Sequence, residues 1–366
     1  MDKLRRLTLS GFKSIKSLEL ELHPLNVLIG ANGAGKSNLI SFFKMLNEMM
    51  ANRFQLYLGI SGRAQSILHF GPKVTPQIEA SLEFAVENGI DTYHLRLFHA
   101  ASDTLIFAEE SLSFLQAGWI SSRIDQLGAG HQETKLNEAA EEGIETAKTL
   151  HDLLNRCRVY HFHDTSSTAG VRQSSYVGDT RWLMPDAANL AALLLRFRSE
   201  NNTAYQRIVR TIRLIAPFFD DFELTPDVSS RVMLNWKQKG AAQLFGPHQF
   251  SDGTLRAICL ITLLLQPEDE LPTLIVVDEP ELGLHPYALN IIAALFSKAA
   301  YHTQILISTQ SSTFLDSFAP EDIITVDQVD QASQFNRLNT LELETWLDEY
   351  SLGEIWEKNI IGGGPH

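Results

Sequence analysis

Apolar and polar residues alternate along the first third of the chain in short runs that are separated by turn residues. Alternation with a period of two is typical of strands that have one face on a core and the other face in solvent. These runs therefore predict an antiparallel β-layer, with strands at residues 4–9, 18–22, 77–86, 93–98 and 104–114.

The spacing of apolar residues changes to three or four from about residue 133, which is typical of amphipathic helices. We expect residues 131–250 to form a mainly helical lobe that also contains a few short strands. The helices are predicted at residues 133–154, 188–197 and 205–215, and the strands at residues 159–163, 222–224 and 232–236.

Three runs are apolar almost without interruption, and they lie near the two ends of the chain: Leu25–Ile29, residues 273–277 and residues 304–308. Continuous apolar strands that alternate with helices predict a parallel sheet covered on both faces. We therefore expect an α/β fold with a central, mainly parallel sheet flanked by helices, a mixed β-layer and an inserted helical lobe. The expected divisions are residues 1–130, 131–250 and 251–366.

The chain has 366 residues and a formal net charge of −14, which opposes nonspecific binding to DNA. The two cysteines, Cys157 and Cys259, lie in apolar or mixed surroundings, which favours unpaired thiols in a reducing compartment. The start lacks the apolar core of a secretory signal, and the longest apolar run, residues 257–265, is shorter than the roughly 20 residues of a membrane span. We expect a cytoplasmic protein without membrane attachment.

The segment after the first apolar strand fits G-x-x-x-x-G-K-[ST] without a mismatch and precedes a helix predicted at residues 38–50. Its backbone N–H groups form a phosphate-binding nest, Lys36 neutralises the β- and γ-phosphates, and the Ser37 hydroxyl suits Mg²⁺. A Gly-rich turn without a ligand would need neither the lysine nor the hydroxyl. We expect this phosphate loop to bind ATP through Gly30, Ala31, Asn32, Gly33, Ala34, Gly35, Lys36, Ser37 and Asn38.

The apolar strand at residues 273–277 ends in two carboxylates, Asp278 and Glu279. Phosphoryl-transfer sites place one acid beside Mg²⁺ and a second acid beside the attacking water. We assign Asp278, with Ser37, to the metal and Glu279 to the role of general base. The alternative, an acidic pair that only caps the following helix, is weakened by the phosphate loop upstream.

The signature segment, residues 250–256, reads Phe-Ser-Asp-Gly-Thr-Leu-Arg and opens an apolar helix. Ser251 and Gly253 at a helix N-terminus offer a hydroxyl, free N–H groups and a positive dipole end, which together bind phosphate. Taken alone, the segment is also an ordinary helix cap.

With the three motifs in this order, the chain resembles the ABC-type ATPases, whose signature is usually written LSGGQ. The resemblance implies a dimer with two sandwiched ATP molecules, in which Ser251 and Gly253 act on the ATP of the partner copy. Residues 279–286 look like the EPxxGLHP stretch of OLD-type and RecF-like members, which implies a dimer-crossing loop. Gln310 falls where many ABC proteins carry a switch histidine, and glutamine can donate to phosphate but cannot carry charge.

Residues 9–15 resemble the opening of RecF/SMC-type ATPases, and residues 160–166 and 350–356 are similar to a group of bacterial predicted ATPases of the AAA_21/OLD-like kind. The resemblance implies ATP hydrolysis in a nucleic-acid process such as DNA repair or antiphage defence, with a separate effector. It does not identify the glutamine that ABC proteins place near Mg²⁺, for which Gln65 and Gln77 are both candidates.

Two further groups of residues can each be interpreted in two ways. His161, His163 and Asp164 have metal-compatible chemistry on a predicted strand, but a hydrogen-bonded structural role is favoured because no further ligand is evident. Three arginines recur along the helix predicted at residues 205–215, where they form either a DNA-contacting stripe or a solvated face: Arg207, Arg210 and Arg213.

Two other functions compete with a RecF/SMC/OLD-like switch. The nucleotide-binding subunit of a membrane transporter carries the same motifs, but 214 positions separate Ser37 from Ser251, roughly double the separation expected of that class. A nuclease domain of its own is not expected, because the 56 residues after Gln310 are fewer than the roughly 100 of a domain.

Overall fold

The computed structural model of the chain describes residues 2–364. Its strands are β1 (Lys3–Phe12), β2 (Ile15–Glu21), β3 (Leu25–Ile29), β4 (Gln77–Val86), β5 (Gly89–Ala100), β6 (Thr104–Gln116), β7 (Arg123–Gly128), β8 (Cys157–Tyr160), β9 (Ser175–Tyr176), β10 (Phe219–Glu223), β11 (Arg231–Val232), β12 (Asn235–Gln238), β13 (Leu244–Phe245), β14 (Leu274–Asp278), β15 (Gln304–Thr309), β16 (Ile323–Val329) and β17 (Ala332–Arg337).

The α-helices of the same part of the chain are α1 (Lys36–Met50), α2 (Phe54–Ile60), α3 (Arg63–Ile67), α4 (Leu136–Glu141), α5 (Glu145–Asn155), α6 (Leu190–Glu200), α7 (Asn202–Ile215), α8 (Asp252–Leu265), α9 (Pro286–Ala299), α10 (Ser312–Leu315), α11 (Thr340–Leu347) and α12 (Leu352–Glu357).

The central sheet has the strand order β17-β16-β3-β15-β14-β8, and only the β16–β17 pair is antiparallel. Successive residues of its inner strands face two different cores: Val27 and Ile29 contribute to one and Leu28 to the other. The sheet is therefore buried on both faces, which explains why its strands are uniformly apolar. Because β15 lies between β3 and β14, the phosphate loop and the two carboxylates leave the sheet at the same edge.

A second six-stranded sheet, ordered β2-β1-β4-β5-β6-β7, is antiparallel throughout. Its apolar face shares a core with α1, whose Leu39, Phe42 and Leu46 are buried. These two sheets and the helices around them confirm the α/β fold class and the antiparallel layer that alternation predicts.

Helices α6, α7, α8 and α9 share the core on the opposite side of the central sheet. A small sheet, β10-β12-β13, extends this side with an aromatic cluster, in which the rings of Trp236 and Phe250 stack at a centroid distance of 4.6 Å. Phe250 directly precedes Ser251, so this cluster fixes the approach to α8.

Several boundaries differ from the prediction for local reasons. The helical run predicted at residues 133–154 divides into α4 and α5 around Gly143, whose φ of 97° ends the first helix. Helix α7 begins three residues earlier than predicted, because the Asn201 side chain caps it by accepting from the Ala204 N–H. Strand β8 ends at Tyr160, and it pairs with β14 at the edge of the central sheet although it lies within residues 131–250.

The glycine-rich sequence of residues 362–366 suggests a loose tail, but the structure shows that its described part is held in place. Gly363 donates to the Asp327 carboxylate at 2.6 Å and accepts from the Trp356 indole N–H at 2.8 Å. Both Gly363 and Gly364 are buried, while residues 365 and 366 lie outside the described residues.

The two cysteines are free and buried, which agrees with the interpretation as unpaired thiols. Burial raises the pKa of the Cys157 thiol to about 12. In the described part of the chain, no helix combines the length and the apolar character that crossing a membrane would require.

Candidate nucleotide-binding and hydrolysis site

The phosphate loop is formed between a fully buried strand, β3, and the first turn of α1. Gly33 and Gly35 have φ of 83° and 117°, a left-handed region that favours glycine. A Cβ at Gly35 would also overlap the Ser333 hydroxyl, and one at Gly30 would overlap the Val326 carbonyl. The glycines of the motif thus meet a conformational and a steric requirement, while Asn32, Gly33 and Ser37 lie exposed on the loop.

The Lys36 side chain is buried against its own loop. Its ammonium donates to the carbonyl oxygens of Gly30 at 2.5 Å and Ala31 at 3.1 Å. Burial lowers the pKa of Lys36, and the charges of Glu279, Asp278 and Glu281 oppose that shift. A buried ammonium with too few acceptors gains from an incoming anion, so this position suits a phosphate group.

A relay of hydroxyl groups supports the loop from behind. Asn38 donates through Nδ2 to the Ser14 hydroxyl at 2.6 Å, and the Ser14 and Ser333 hydroxyls are 2.6 Å apart. The Ser333 hydroxyl donates in turn to the carbonyl of Ala34 at 2.6 Å. Sequence reasoning missed Ser333 because it lies about 300 positions from the loop, in a strand whose role only the sheet topology reveals.

Asp278 ends β14, and Glu279 follows in a left-handed backbone conformation with φ of 43°. The Oδ1 atom of Asp278 is buried and has no hydrogen-bond partner within residues 2–364. A buried carboxylate oxygen without a partner fits a divalent cation, which prefers oxygen ligands. The nearby Ser308 hydroxyl, whose residue pairs with Asp278 in the sheet, is also buried without a partner in the same part of the chain.

Gln310 follows β15 and donates from its side-chain amide to the carboxylate of Glu279. Glu281 fixes the same corner, because its Oε1 accepts from the Thr309 hydroxyl at 2.6 Å and from the Gln310 N–H at 3.0 Å. Burial raises the pKa of the Glu281 carboxyl. Sequence reasoning did not single out Glu281, although a third acid directly after Asp-Glu-Pro was a visible signal.

Ser251 is the N-cap of α8, and its hydroxyl accepts from the Thr254 N–H at 3.2 Å. A Cβ at Gly253 would overlap the carbonyl of Gly283, so glycine is required where α8 meets residues 280–285. Arg256 strengthens this contact by donating to the Leu282 carbonyl at 3.0 Å. No hydrogen bond within residues 2–364 joins residues 250–256 to the phosphate loop.

His161 and His163 lie beyond the end of β8 at Tyr160, so the strand predicted at residues 159–163 is too long. Their rings lie close together, with centroids 6.4 Å apart. His163 is hydrogen-bonded through Nε2 to the backbone carbonyl of Asp278 at 2.9 Å, and Asp164 accepts from the Ser166 N–H at 3.0 Å. Burial lowers the pKa of His161 to about 4, with contributions from Lys44 and His163. These contacts favour the structural role, and the described residues contain no group of three or more metal-ligating side chains.

The two glutamine candidates lie on different elements, Gln65 in α3 and Gln77 at the start of β4. Gln65 lines a cavity of about 570 Å³ together with Lys13, and Gln77 opens β4 opposite Phe98 of β5. Within residues 2–364 no hydrogen bond links either side chain to Asp278 or Glu279. Both assignments therefore stay predictions.

Two of the three arginines in the predicted basic stripe on α7 donate hydrogen bonds to backbone carbonyls of the same chain. Arg207 donates to the Leu265 carbonyl at 3.0 Å, and Arg213 donates to the Asp220 carbonyl at 2.8 Å. Arg210 is exposed between them. Only one of the three guanidinium groups is thus presented openly to solvent.

Comparison with known proteins gives a family and a fold. The model of a family described as "AAA domain, putative AbiEii toxin, Type IV TA system" matches residues 25–316. No curated protein matches the chain significantly. The chain is similar to the "SmcHead bound to the C-winged helix domain of ScpA", with 13% identity, a TM-score of 0.61, and coverage of 94% of this chain and 99% of that chain.

It is also similar to an "Smc head domain with an extended coiled coil" from Pyrococcus furiosus, described as bound to the C-terminal domain of ScpA. That match has 14% identity and a TM-score of 0.61, and it covers 95% of this chain and 99% of the other. At this identity the likeness establishes the fold, which is that of an ABC-ATPase head.

Proposed function

The chain belongs to the AAA_21 family of SMC/RecF-like ABC ATPases, and from that membership we propose that it is an ATP-dimerised switch. One observation carries the proposal: the charges of Asp278 and Glu279 act on Lys36 at one edge of the central sheet. Lys36 follows β3 and the two carboxylates lie at the end of β14, and these two strands flank β15. This arrangement can hold a triphosphate against an acid that activates water.

Each residue has a part in hydrolysis. Lys36 neutralises the phosphates, and Glu279, held by Gln310, takes a proton from the water that attacks the γ-phosphate. Ser37 and Asp278 would hold Mg²⁺, which supplies charge neutralisation when bound. As the resemblance to ABC-type ATPases implies, Ser251 and Gly253 would close over the ATP of a second copy.

ATP hydrolysis would then set the time for which two copies stay together. In this proposal the dimer regulates a nucleic-acid process, such as DNA repair or antiphage defence, through a separate effector protein in the cytoplasm. The two SMC heads that the chain resembles are described as bound to a partner protein, which supports an effector by analogy of fold alone. No finding supports the transporter alternative.

Light scattering on the Glu279→Gln variant tests the proposal. This substitution removes a charge with little change of shape, so ATP should bind without being hydrolysed. We expect twice the monomer mass with ATP and Mg²⁺, and the monomer mass with ADP or in Glu279→Gln/Lys36→Ala. A Glu279→Gln variant that binds ATP and stays a monomer would exclude the composite site.

A nuclease assay tests the separate effector. With Mg²⁺ and ATP we expect the purified protein to leave plasmid DNA intact. Metal-dependent nicking that persists in Lys36→Ala would place the cleavage in this chain and remove the need for a separate nuclease.

A further inference from the structure

A buried arginine, Arg172, holds the chain on both sides of Ser251. Its side chain is 6% exposed. It donates through Nη1 to the carbonyls of Pro247 at 2.5 Å and Phe250 at 3.3 Å, and through Nη2 to the Asp252 carboxylate at 2.8 Å. The guanidinium therefore fixes the backbone that delivers Ser251 to the N-terminus of α8.

The same arginine also fixes the bridge loop, which we define as residues 161–172. The Nε of Arg172 donates to the Thr165 carbonyl at 2.8 Å. A lysine ammonium could not satisfy acceptors in these three directions at once, whereas the planar guanidinium presents five donors in a rigid fork. Arg172 thus joins the bridge loop to the signature segment through geometry that is specific to arginine.

The other end of the bridge loop is attached to the acidic strand end, which consists of Asp278 and Glu279 at the end of β14. His163 is hydrogen-bonded through Nε2 to the Asp278 carbonyl at 2.9 Å. Arg256 of α8 donates to the carbonyls of Phe162 at 3.2 Å and His163 at 2.8 Å. Hydrogen bonds and the short backbone segment from His163 to Thr165 therefore connect Asp278, through Arg172, to both neighbours of Ser251.

We propose that Arg172 is a positioning residue that sets Ser251 and Gly253 for the ATP of the partner copy. Through the bridge loop it links the acidic strand end of one ATP site to the signature segment that completes the other. This inference rests on the proposed function, because the two ends of the link serve different ATP molecules only in an ATP-bridged dimer.

Arg172→Met should separate nucleotide binding from catalysis. We expect ATP binding by the monomer, measured with a fluorescent ATP analogue, to stay within about twofold, because the phosphate loop is untouched. The kcat for phosphate release should fall roughly 10- to 100-fold, since charge-assisted hydrogen bonds that place Ser251 are lost. Arg172→Lys should restore only part of this rate.

A mixing experiment tests whether Arg172 acts in trans. In a mixed dimer of Arg172→Met and Lys36→Ala, one ATP site combines the intact phosphate loop of the first chain with the intact signature segment of the second. An equal mixture should therefore regain about a quarter of the wild-type ATPase rate, since half of the dimers are mixed and each has one of two sites intact. Ser251→Ala mixed with Lys36→Ala is the matched control.

Regained activity in the control mixture alone would show that Arg172 serves its own site and would overturn the inference. If neither mixture regains activity, the dimerisation of a double variant tests the inference instead. Glu279→Gln/Arg172→Met should bind ATP yet fail to dimerise. A dimer as stable as that of Glu279→Gln would overturn the inference.

Two controls distinguish a failure of the inference from a loss of folding in the variant. Thermal unfolding checks that Arg172→Met is folded, and Asp252→Asn is a milder variant because the Asp252 side chain is 63% exposed. We expect Asp252→Asn to lower kcat about threefold with ATP binding unchanged, which corresponds to the loss of one partly exposed ion pair. A wild-type protein that binds ATP and never dimerises would remove the proposed function itself, and the inference with it.

Discussion

The side-chain amide of Gln310 donates a hydrogen bond to the carboxylate of Glu279. The residue at the proposed switch position therefore orients the carboxylate that we propose as the general base of the same chain. Because an amide does not titrate, this contact keeps its strength across the pH range in which a histidine would change its charge.

Gln310→Ala should slow hydrolysis without weakening ATP binding. Loss of a hydrogen bond to a charged group is worth about 1.5–3 kcal/mol, so we expect kcat to fall roughly 10- to 100-fold. Phosphate release measures kcat, and a fluorescent ATP analogue measures affinity. Gln126→Ala on β7, where the glutamine is exposed, is the control and should keep the wild-type rate. An unchanged kcat in Gln310→Ala would remove Gln310 from the hydrolysis machinery.

Gly253→Ala tests the contact between α8 and residues 280–285. The added Cβ would overlap the Gly283 carbonyl, so either the signature helix or the loop must move. We expect the free energy of unfolding to fall by about 1–3 kcal/mol, measured by denaturant titration. Gly59→Ala is the matched control: a Cβ there meets nothing within 4 Å, and alanine favours the helix by about 1 kcal/mol. Equal stability of the two variants would contradict the steric argument.

Sequence reasoning recovered the parts of this molecule that are encoded locally. The phosphate loop, the acidic strand end and the N-cap Ser251 each follow from a few consecutive residues, and alternation located β4, β5 and β6. It missed β16 and β17, whose polar positions, such as Asp327 and Ser333, are explained only by contacts with distant segments.

The same limit applies to the candidate site. Ser333 supports Ala34, Arg172 supports Phe250, and Glu281 holds Thr309, and in each case the fold brings together residues that are separated in sequence. A single sequence predicts which residues carry the chemistry, because the residue types and spacing of the motifs are specific. It does not identify the residues that position them, because serines and arginines occur at many unrelated positions.

Ser333→Ala should weaken the relay that supports the phosphate loop. The hydroxyl joins Ser14 to the Ala34 carbonyl, so its removal leaves the carbonyl buried without a donor. We expect a loss of about 1 kcal/mol in the free energy of unfolding and a several-fold weaker ATP affinity. Ser175→Ala is the matched control, because the buried Ser175 hydroxyl has no partner in the described residues. A larger loss in Ser175→Ala than in Ser333→Ala would contradict the role of the relay.

The lowered pKa of His161 predicts how the free energy of unfolding depends on pH. Burial, Lys44 and His163 lower its pKa from 6.5 to about 4, so between these values the unfolded chain binds more protons than the folded chain. The stabilisation is therefore complete above about pH 6.5 and is lost as the pH falls towards 4. Because the ring is partly exposed, we expect the contribution to be about 1–2 kcal/mol rather than the full value of the shift.

The free energies of unfolding of wild type and His161→Gln, compared from pH 4 to 7, measure this contribution: on acidification from pH 7, wild type should lose more stability than His161→Gln. Parallel pH profiles for these two proteins would show that His161 titrates alike in the folded and unfolded chain.

Asp91→Asn provides a counterpart of opposite sign. Burial raises the pKa of Asp91 from 3.8 to about 6, so ionisation of Asp91 costs stability as the pH rises through that range, and the asparagine variant should gain on wild type there. Parallel pH profiles for wild type and Asp91→Asn would show that Asp91 titrates alike in the folded and unfolded chain.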